Sequence, residues 1–270
     1  MKLTRAFPAA MVAALLVTVG FLVLPVVAIF LDTSPGDLVA SLDDAAALDA
    51  LALSLQTTLT ALALILLVGT PAAWLLATRR FRGRTLLVTL IELPLVVPPA
   101  VAGVGLLAAL GPAGLLGGGL EDAGLRLALE TAGVVVALVF VASPFYVRQA
   151  IAGFEAVDPV LLEASRTLGA SEAGTFWRVG IPVARGALVS GAALAWGRAL
   201  GEFGATLIFA GSFRGVTQTA PLAIYERFAT DFPAALALSA VLVIAAAALL
   251  LGVKLATGPT ADSELGDAAR

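Results

Sequence analysis

Arg198 and Glu202 are the residues best placed to do chemistry, because they stand four apart inside an otherwise apolar stretch, Gly186–Ile208. Four residues is about one helical turn, so on a continuous helix the two side chains share a face and can pair. An ionisable group at the centre of a membrane helix costs about 2.5–3.5 kcal/mol on insertion scales. Such a pair marks either a packing contact between helices or a polar route, and the sequence leaves both open. Glycines recur along the same stretch and just beyond it, at 191, 197, 201, 204 and 211. They let backbones approach closely. The hydroxyls of Thr206, Thr217 and Thr219 lie on this stretch and just beyond it.

Other chemistries are excluded by absence. The chain has no His and no Cys. Zinc sites, thiolate nucleophiles, disulfides and a Ser-His-Asp relay are not available within it. Its lysines, Lys2 and Lys254, follow Met1 and Val253, so there is no Gly-Lys-Ser/Thr phosphate loop. An intramembrane hydrolase would need a carboxylate dyad, and the sequence offers none. A net charge of −3 gives no basic footprint for nucleic acid.

The elements that must position these residues are membrane helices. The 270-residue chain is 60% hydrophobic and only 13% charged, against about 25% charged in soluble domains. Too few polar side chains exist to cover a water-facing surface. A bilayer core needs about 20 apolar residues per helix. Uncharged runs at Ala9–Leu31, Leu51–Thr78 and Pro233–Val253 qualify. Three more carry one or two charges: Leu86–Leu110 with Glu92, Leu127–Val147 with Glu130, and Gly186–Ile208. Six transmembrane helices are expected. The first run exceeds the roughly 7–15 residues of a signal h-region and is read as a retained helix. In the third run Pro94, Pro98 and Pro99 remove amide donors, so a kink or break lining a cavity is expected.

Lys and Arg set the orientation. Of 16 such residues, only Arg126, Arg214 and Arg227 fall on one side and Arg198 inside a span. The N-terminal tail has Lys2 and Arg5, loop two has Arg79, Arg80, Arg82 and Arg84, loop four has Arg148, Arg166, Arg178 and Arg185, and the C-terminal end has Lys254 and Arg270. Loop one carries Asp32, Asp37, Asp43, Asp44 and Asp49 and no base. Both termini and loops two and four are therefore expected in the cytoplasm. The loop-two arginines read as positive-inside anchors, with Glu92 reaching toward them and Glu130 toward the outer interface.

Loop four, about Arg148 to Pro182, carries helix signals. Asp158-Pro159 is an N-cap followed by proline at N1, and Gly169 suits a left-handed C′ position. Ser171 can cap a second short helix through Val179, ended by Pro182. Two short helices joined at Gly169-Ala170-Ser171 would make a rigid knob that can receive force from a soluble partner.

The knob sequence resembles a known family. Glu163-Ala164-Ser165, three residues, Gly169, nine residues, Val179, one residue, Ile181-Pro182 is similar to the EAA signature of binding-protein-dependent ABC importer permeases. Ser165 stands for Ala, Val179 for Ile and Ile181 for Leu, with the spacing kept. Two further segments, Leu93 to Pro99 and Arg198 to Thr206, followed by Thr217 to Tyr225, resemble molybdate/tungstate permease subunits and, less closely, sulfate/thiosulfate permeases. Trp196-Gly197 departs from the Phe-plus-small pair of that group. The resemblance runs from about Ser54 to Val253.

The resemblance implies an all-α membrane protein of type I ABC importer permease fold with cytoplasmic coupling helices. Residues 1–52 form the N-terminal tail, first helix and external acidic loop. Residues 53–254 form the transmembrane domain of five helices with a coupling loop at 154–182, and 255–270 a cytoplasmic tail. The residues it implies for ATPase coupling are Asp158, Glu163, Ala164, Ser165, Gly169, Val179 and Pro182. Those it implies for the pathway are Pro94, Pro98, Pro99, Arg198, Gly201, Glu202, Gly204 and Thr206. It implies a non-catalytic subunit in the cytoplasmic membrane, moving a tetrahedral oxyanion. Its implied partners are an ATPase dimer at residues 158–182, a second copy of itself, an extracytoplasmic oxyanion-binding protein and the bilayer. ATP and Mg would sit on the ATPase, with no cofactor or metal in this chain. The alternatives are a sulfate/thiosulfate permease and, from another class, a stand-alone channel or secondary transporter.

Overall fold

The computed structural model describes residues 3–257. Lys2 and Arg270, and the side chains of Arg5 and Lys254, lie outside the described residues. The described chain is helical throughout, in the order α1 (Leu3–Asp32), α2 (Pro35–Asp43), α3 (Ala45–Thr78), α4 (Arg84–Val96), α5 (Pro99–Leu110), α6 (Gly117–Asp122) and α7 (Thr131–Glu155). There follow α8 (Pro159–Thr167), α9 (Glu172–Thr175), a π turn (Phe176–Gly180), α10 (Ile181–Leu200), α11 (Gly204–Ala210), α12 (Ala220–Thr230) and α13 (Phe232–Thr257). Five stretches are long and apolar enough to cross a membrane, and α4 with α5 makes a sixth only as a bent pair.

The centre is α7, packed between α3 and α10. Leu138, Tyr146, Phe154, Ala195 and Ile65 bury together there. Small residues set the spacing: a Cβ on Gly69 would lie 3.0 Å from the Tyr146 ring, and one on Gly191 3.0 Å from Gln149 Cβ. At one end Trp74 meets the rings of Phe154 and Phe176 at 5.2 and 5.4 Å. Gly180 gives that indole room, since a Cβ there would come within 2.5 Å of it. Helix α1 is peripheral and packs on α13.

The run Leu86–Leu110 breaks where its prolines predict: the chain turns by 117° between α4 and α5. Val97 is extended (φ −72°, ψ 125°), as a residue before proline prefers, and Pro98 and Pro99 have no N–H to continue the ladder. The fifth span ends at Leu200 rather than Ile208, because Gly201, Glu202 and Phe203 interrupt it before α11. The second limb of the knob does not stop at Pro182. It passes through the π turn into α10, with Pro182 in the first turn of α10. Glu130 is the N-cap of α7 rather than a residue within the span.

Ion pairs sort the loops onto two faces. On one, Arg84 pairs with Glu155, and Arg79 with Glu172 at 3.3 Å. On the other, Arg227 pairs with Asp44, and Arg214 with Asp49 at 3.5 Å. Loop one there forms α2, fixed by a reciprocal cap in which Ser34 Oγ accepts from Asp37 N–H and Asp37 accepts from Ser34 N–H. Asp44 caps α3. The Ala46 N–H it accepts holds its carboxyl below the usual value, burial works against this, and the Arg227 guanidinium lowers it further.

Candidate functional site

Glu202 is the buried charge at the centre of the candidate pathway, with its side chain 1% exposed. It lies past the end of α10, so it does not share a helix face with Arg198 as the spacing suggested. The pair forms nonetheless: Arg198 Nη2 donates to Glu202 Oε2 at 2.6 Å, and Arg198 keeps 25% exposure. The other carboxylate oxygen accepts the Ala205 N–H at 2.7 Å, in the first turn of α11. One carboxylate thus balances a cation and satisfies an amide that the helix start leaves open.

Around it the two interrupted spans meet. A Cβ on Gly204 would lie 3.0 Å from Pro99 Cβ and 3.4 Å from Ala100 N. A Cβ on Gly103 would lie 2.8 Å from Ile208 Cβ and 2.9 Å from Ala205 O. Helix α11 therefore lies directly on α5, just past the Pro98–Pro99 break. Gly201 is exposed at the end of α10, where a Cβ would meet only Gly197 O, at 3.8 Å. Pro94 lies within α4, on the other side of the break.

The hydroxyls are placed differently from one another. Thr206 is fully buried and its Oγ1 donates to Phe203 O at 2.8 Å. Thr217 Oγ1 accepts the Phe213 N–H at 2.9 Å. Thr219 Oγ1 is buried with no hydrogen-bond partner. Two polar ties had no signal in the sequence. Trp196 Nε1 donates to Thr58 Oγ1 at 3.0 Å, giving the unusual tryptophan a partner on α3. The Ala220 N–H donates to Ser54 Oγ at 2.7 Å.

The knob is built as the capping residues require. Asp158 accepts from Val160 N–H at 2.9 Å to start α8, and Gly169 closes it at φ 85°. Ser171 accepts from Gly174 N–H at 3.1 Å to start α9. Ser165, which stands for an alanine, exchanges a hydrogen bond with the buried Thr175 hydroxyl at 3.0 Å and ties the two limbs together. Glu163 and Ala164 face outward, Leu162 is buried beneath, and Leu168 at the tip is 87% exposed. Val179 lies half-buried in the π turn and Pro182 is exposed. Glu92 meets Arg148, at 3.6 Å, rather than a loop-two arginine.

Five long apolar helices, a further span broken at Pro98–Pro99 and a capped knob between α7 and α10 define a polytopic membrane protein. The binding-protein-dependent transport system inner membrane component family matches residues 69–257, and the chain belongs to that family. It is the non-catalytic, multi-pass permease subunit of an ABC importer. It is 44% identical over 240 residues to the molybdenum transport system permease protein ModB of Mycobacterium tuberculosis, covering 86% of this chain and 88% of that protein. It is 33% identical over 231 residues to the sulfate transport system permease protein CysW of Synechocystis, covering 83% and 84%. A solved bacterial ABC transporter that imports the acidic polysaccharide alginate has the same fold, at TM-score 0.69 and 15% identity, covering 97% of this chain and all of that one.

Proposed function

We propose that this permease imports a tetrahedral oxyanion, molybdate or tungstate, delivered by an extracytoplasmic binding protein. Two copies form the conduit, and a dimeric ATPase that holds ATP and Mg docks on residues 158–182. Both termini and the knob face the cytoplasm, following the excess of Lys and Arg in that half of the loops. The observation that carries the substrate is the higher identity to the molybdenum permease than to the sulfate permease, at matched coverage. The site is chemically suited to it. Arg198, partly exposed, offers positive charge to a dianion, and Glu202 keeps that charge from holding the anion too tightly. A conduit must release as well as admit.

The test is ATP hydrolysis by the reconstituted complex, stimulated by binding protein loaded with molybdate, tungstate or sulfate. Molybdate and tungstate should stimulate and sulfate should not. Equal stimulation by sulfate would move the assignment to the sulfate group. Uptake without any ATPase would return it to a channel or secondary transporter.

A further inference from the structure

Loop two does more than anchor the chain to an anionic leaflet. Arg84 is the first residue of α4, and it holds two elements at once. Its Nη2 donates to Glu155, the last residue of α7, and its Nε donates to Leu76 O at 2.6 Å, in the last turn of α3. Glu155 lies three residues before Asp158, where the knob begins. The second limb of the knob is held too. Glu172, the first residue of α9, accepts from Arg166 of α8 at 3.0 Å and pairs with Arg79, the C-cap of α3, at 3.3 Å.

A cavity of about 660 Å³ separates α8 from loop two, lined in part by Arg80, Arg84, Glu155, Glu163 and Arg166. Helix α8 itself packs on α9 and the π turn. Ionic contacts at the rim of the cavity tie loop two to this end of the molecule, beside the apolar cluster that Leu162 of α8 shares with Leu76 and Phe154. From Arg84, α4 runs 13 residues to the 117° turn at Pro98, where Gly204 and the Glu202 segment begin. That is about 20 Å of helix with the knob at one end and the interrupted spans at the other.

We propose that Arg84 and Glu155 are a positioning pair that keeps the knob in register with α4, so that displacement of the knob by the ATPase moves the Pro98–Pro99 break. This rests on the docking of an ATPase at residues 158–182. The pair is partly exposed, with side chains at 30% and 48%. Exposed pairs add little to stability, so variants should insert and assemble. Exchange of the two charges is also tolerable. A carboxylate at the start of α4 and a guanidinium at the end of α7 each suit the helix dipole.

The experiment compares the intact complex in proteoliposomes with Arg84→Glu, Glu155→Arg and the double exchange. It reads three quantities: ATPase subunits bound per permease, basal ATP hydrolysis, and oxyanion taken up per ATP. The single variants should bind the ATPase and hydrolyse ATP as before, while uptake per ATP falls by about fivefold or more. The double exchange should restore most of the ratio. An unchanged ratio in the single variants, or a double exchange as poor as either, overturns the proposal. So does loss of ATPase from the single variants, since the pair would then hold the dock rather than pass on its motion. Failure of the unaltered complex to bind an ATPase would instead overturn the docking reading.

Discussion

Replacing Glu202 with Gln tests the ion pair with the least change of shape. The amide oxygen can still accept the Ala205 N–H, now at 2.7 Å, so the start of α11 stays capped. What is lost is the charge opposite Arg198, whose guanidinium is held at 2.6 Å. Removing one partner of a buried pair costs about 3–5 kcal/mol, because the other charge is left uncompensated. Arg198 keeps 25% exposure, so water can reach part of it and the cost belongs at the lower end. About 3 kcal/mol corresponds to roughly a hundredfold in an equilibrium. The double change Arg198→Met, Glu202→Gln removes both charges and should recover most of that stability. Thermal unfolding of the purified protein measures the first effect, and oxyanion uptake per folded complex measures the second. The single variant should unfold earlier than the double, and both should be slow in uptake per folded complex. A single variant as stable as the double would refute the burial argument. Normal uptake per folded complex in both would leave the pair as a packing contact and end its role in the pathway.

Gly169→Val places a β-branched residue at φ 85° and should strain the knob by about 1–3 kcal/mol, lowering ATPase binding while membrane insertion, read by fractionation, is unchanged. The absence of native Cys makes topology readable by single-cysteine labelling. Ser41 is a poor reporter because it is 5% exposed, so Val39→Cys (60%) should label from outside and Leu168→Cys (87%) from the cytoplasm. The opposite pattern would invert the orientation. Asp44 is held below its ordinary 3.8, so its contribution is full above that pH and is lost as pH falls through the folded value. Its carboxylate is 41% exposed, which limits the effect to under about 1 kcal/mol. The stability gap between unaltered protein and Asp44→Asn should be present at neutral pH and close below about pH 4.

Some of this was legible in the sequence because it depends on neighbours along the chain. Apolar runs gave the spans, and Asp158 and Ser171 marked the caps of the knob, since capping is a local bond between a side chain and an amide two or three residues on, while Gly169 supplied the left-handed backbone that ends α8. The Pro98–Pro99 break followed from missing donors. The end of the fifth span was missed although Arg198, Gly201, Glu202 and Gly204 lower the hydropathy there, because apolar residues on both sides let the run be read on to Ile208. Helix α2 carried a signal that could have found it, Ser34-Pro35 with Asp37 in capping position, but the acidic run around it reads as a loop. Loop-two pairing was invisible for another reason: Arg84 and Glu155 are 71 residues apart, and no periodicity links them. The role of Trp196 likewise needed Thr58, 138 residues away.

The most direct test of the account is ATP hydrolysis by the two-copy permease with its ATPase in lipid, driven by binding protein loaded with one oxyanion at a time. The account predicts stimulation by molybdate and by tungstate, none by sulfate, and less by every oxyanion when the knob carries Gly169→Val. Stimulation by sulfate equal to that by molybdate, or hydrolysis indifferent to every loaded binding protein, would contradict it.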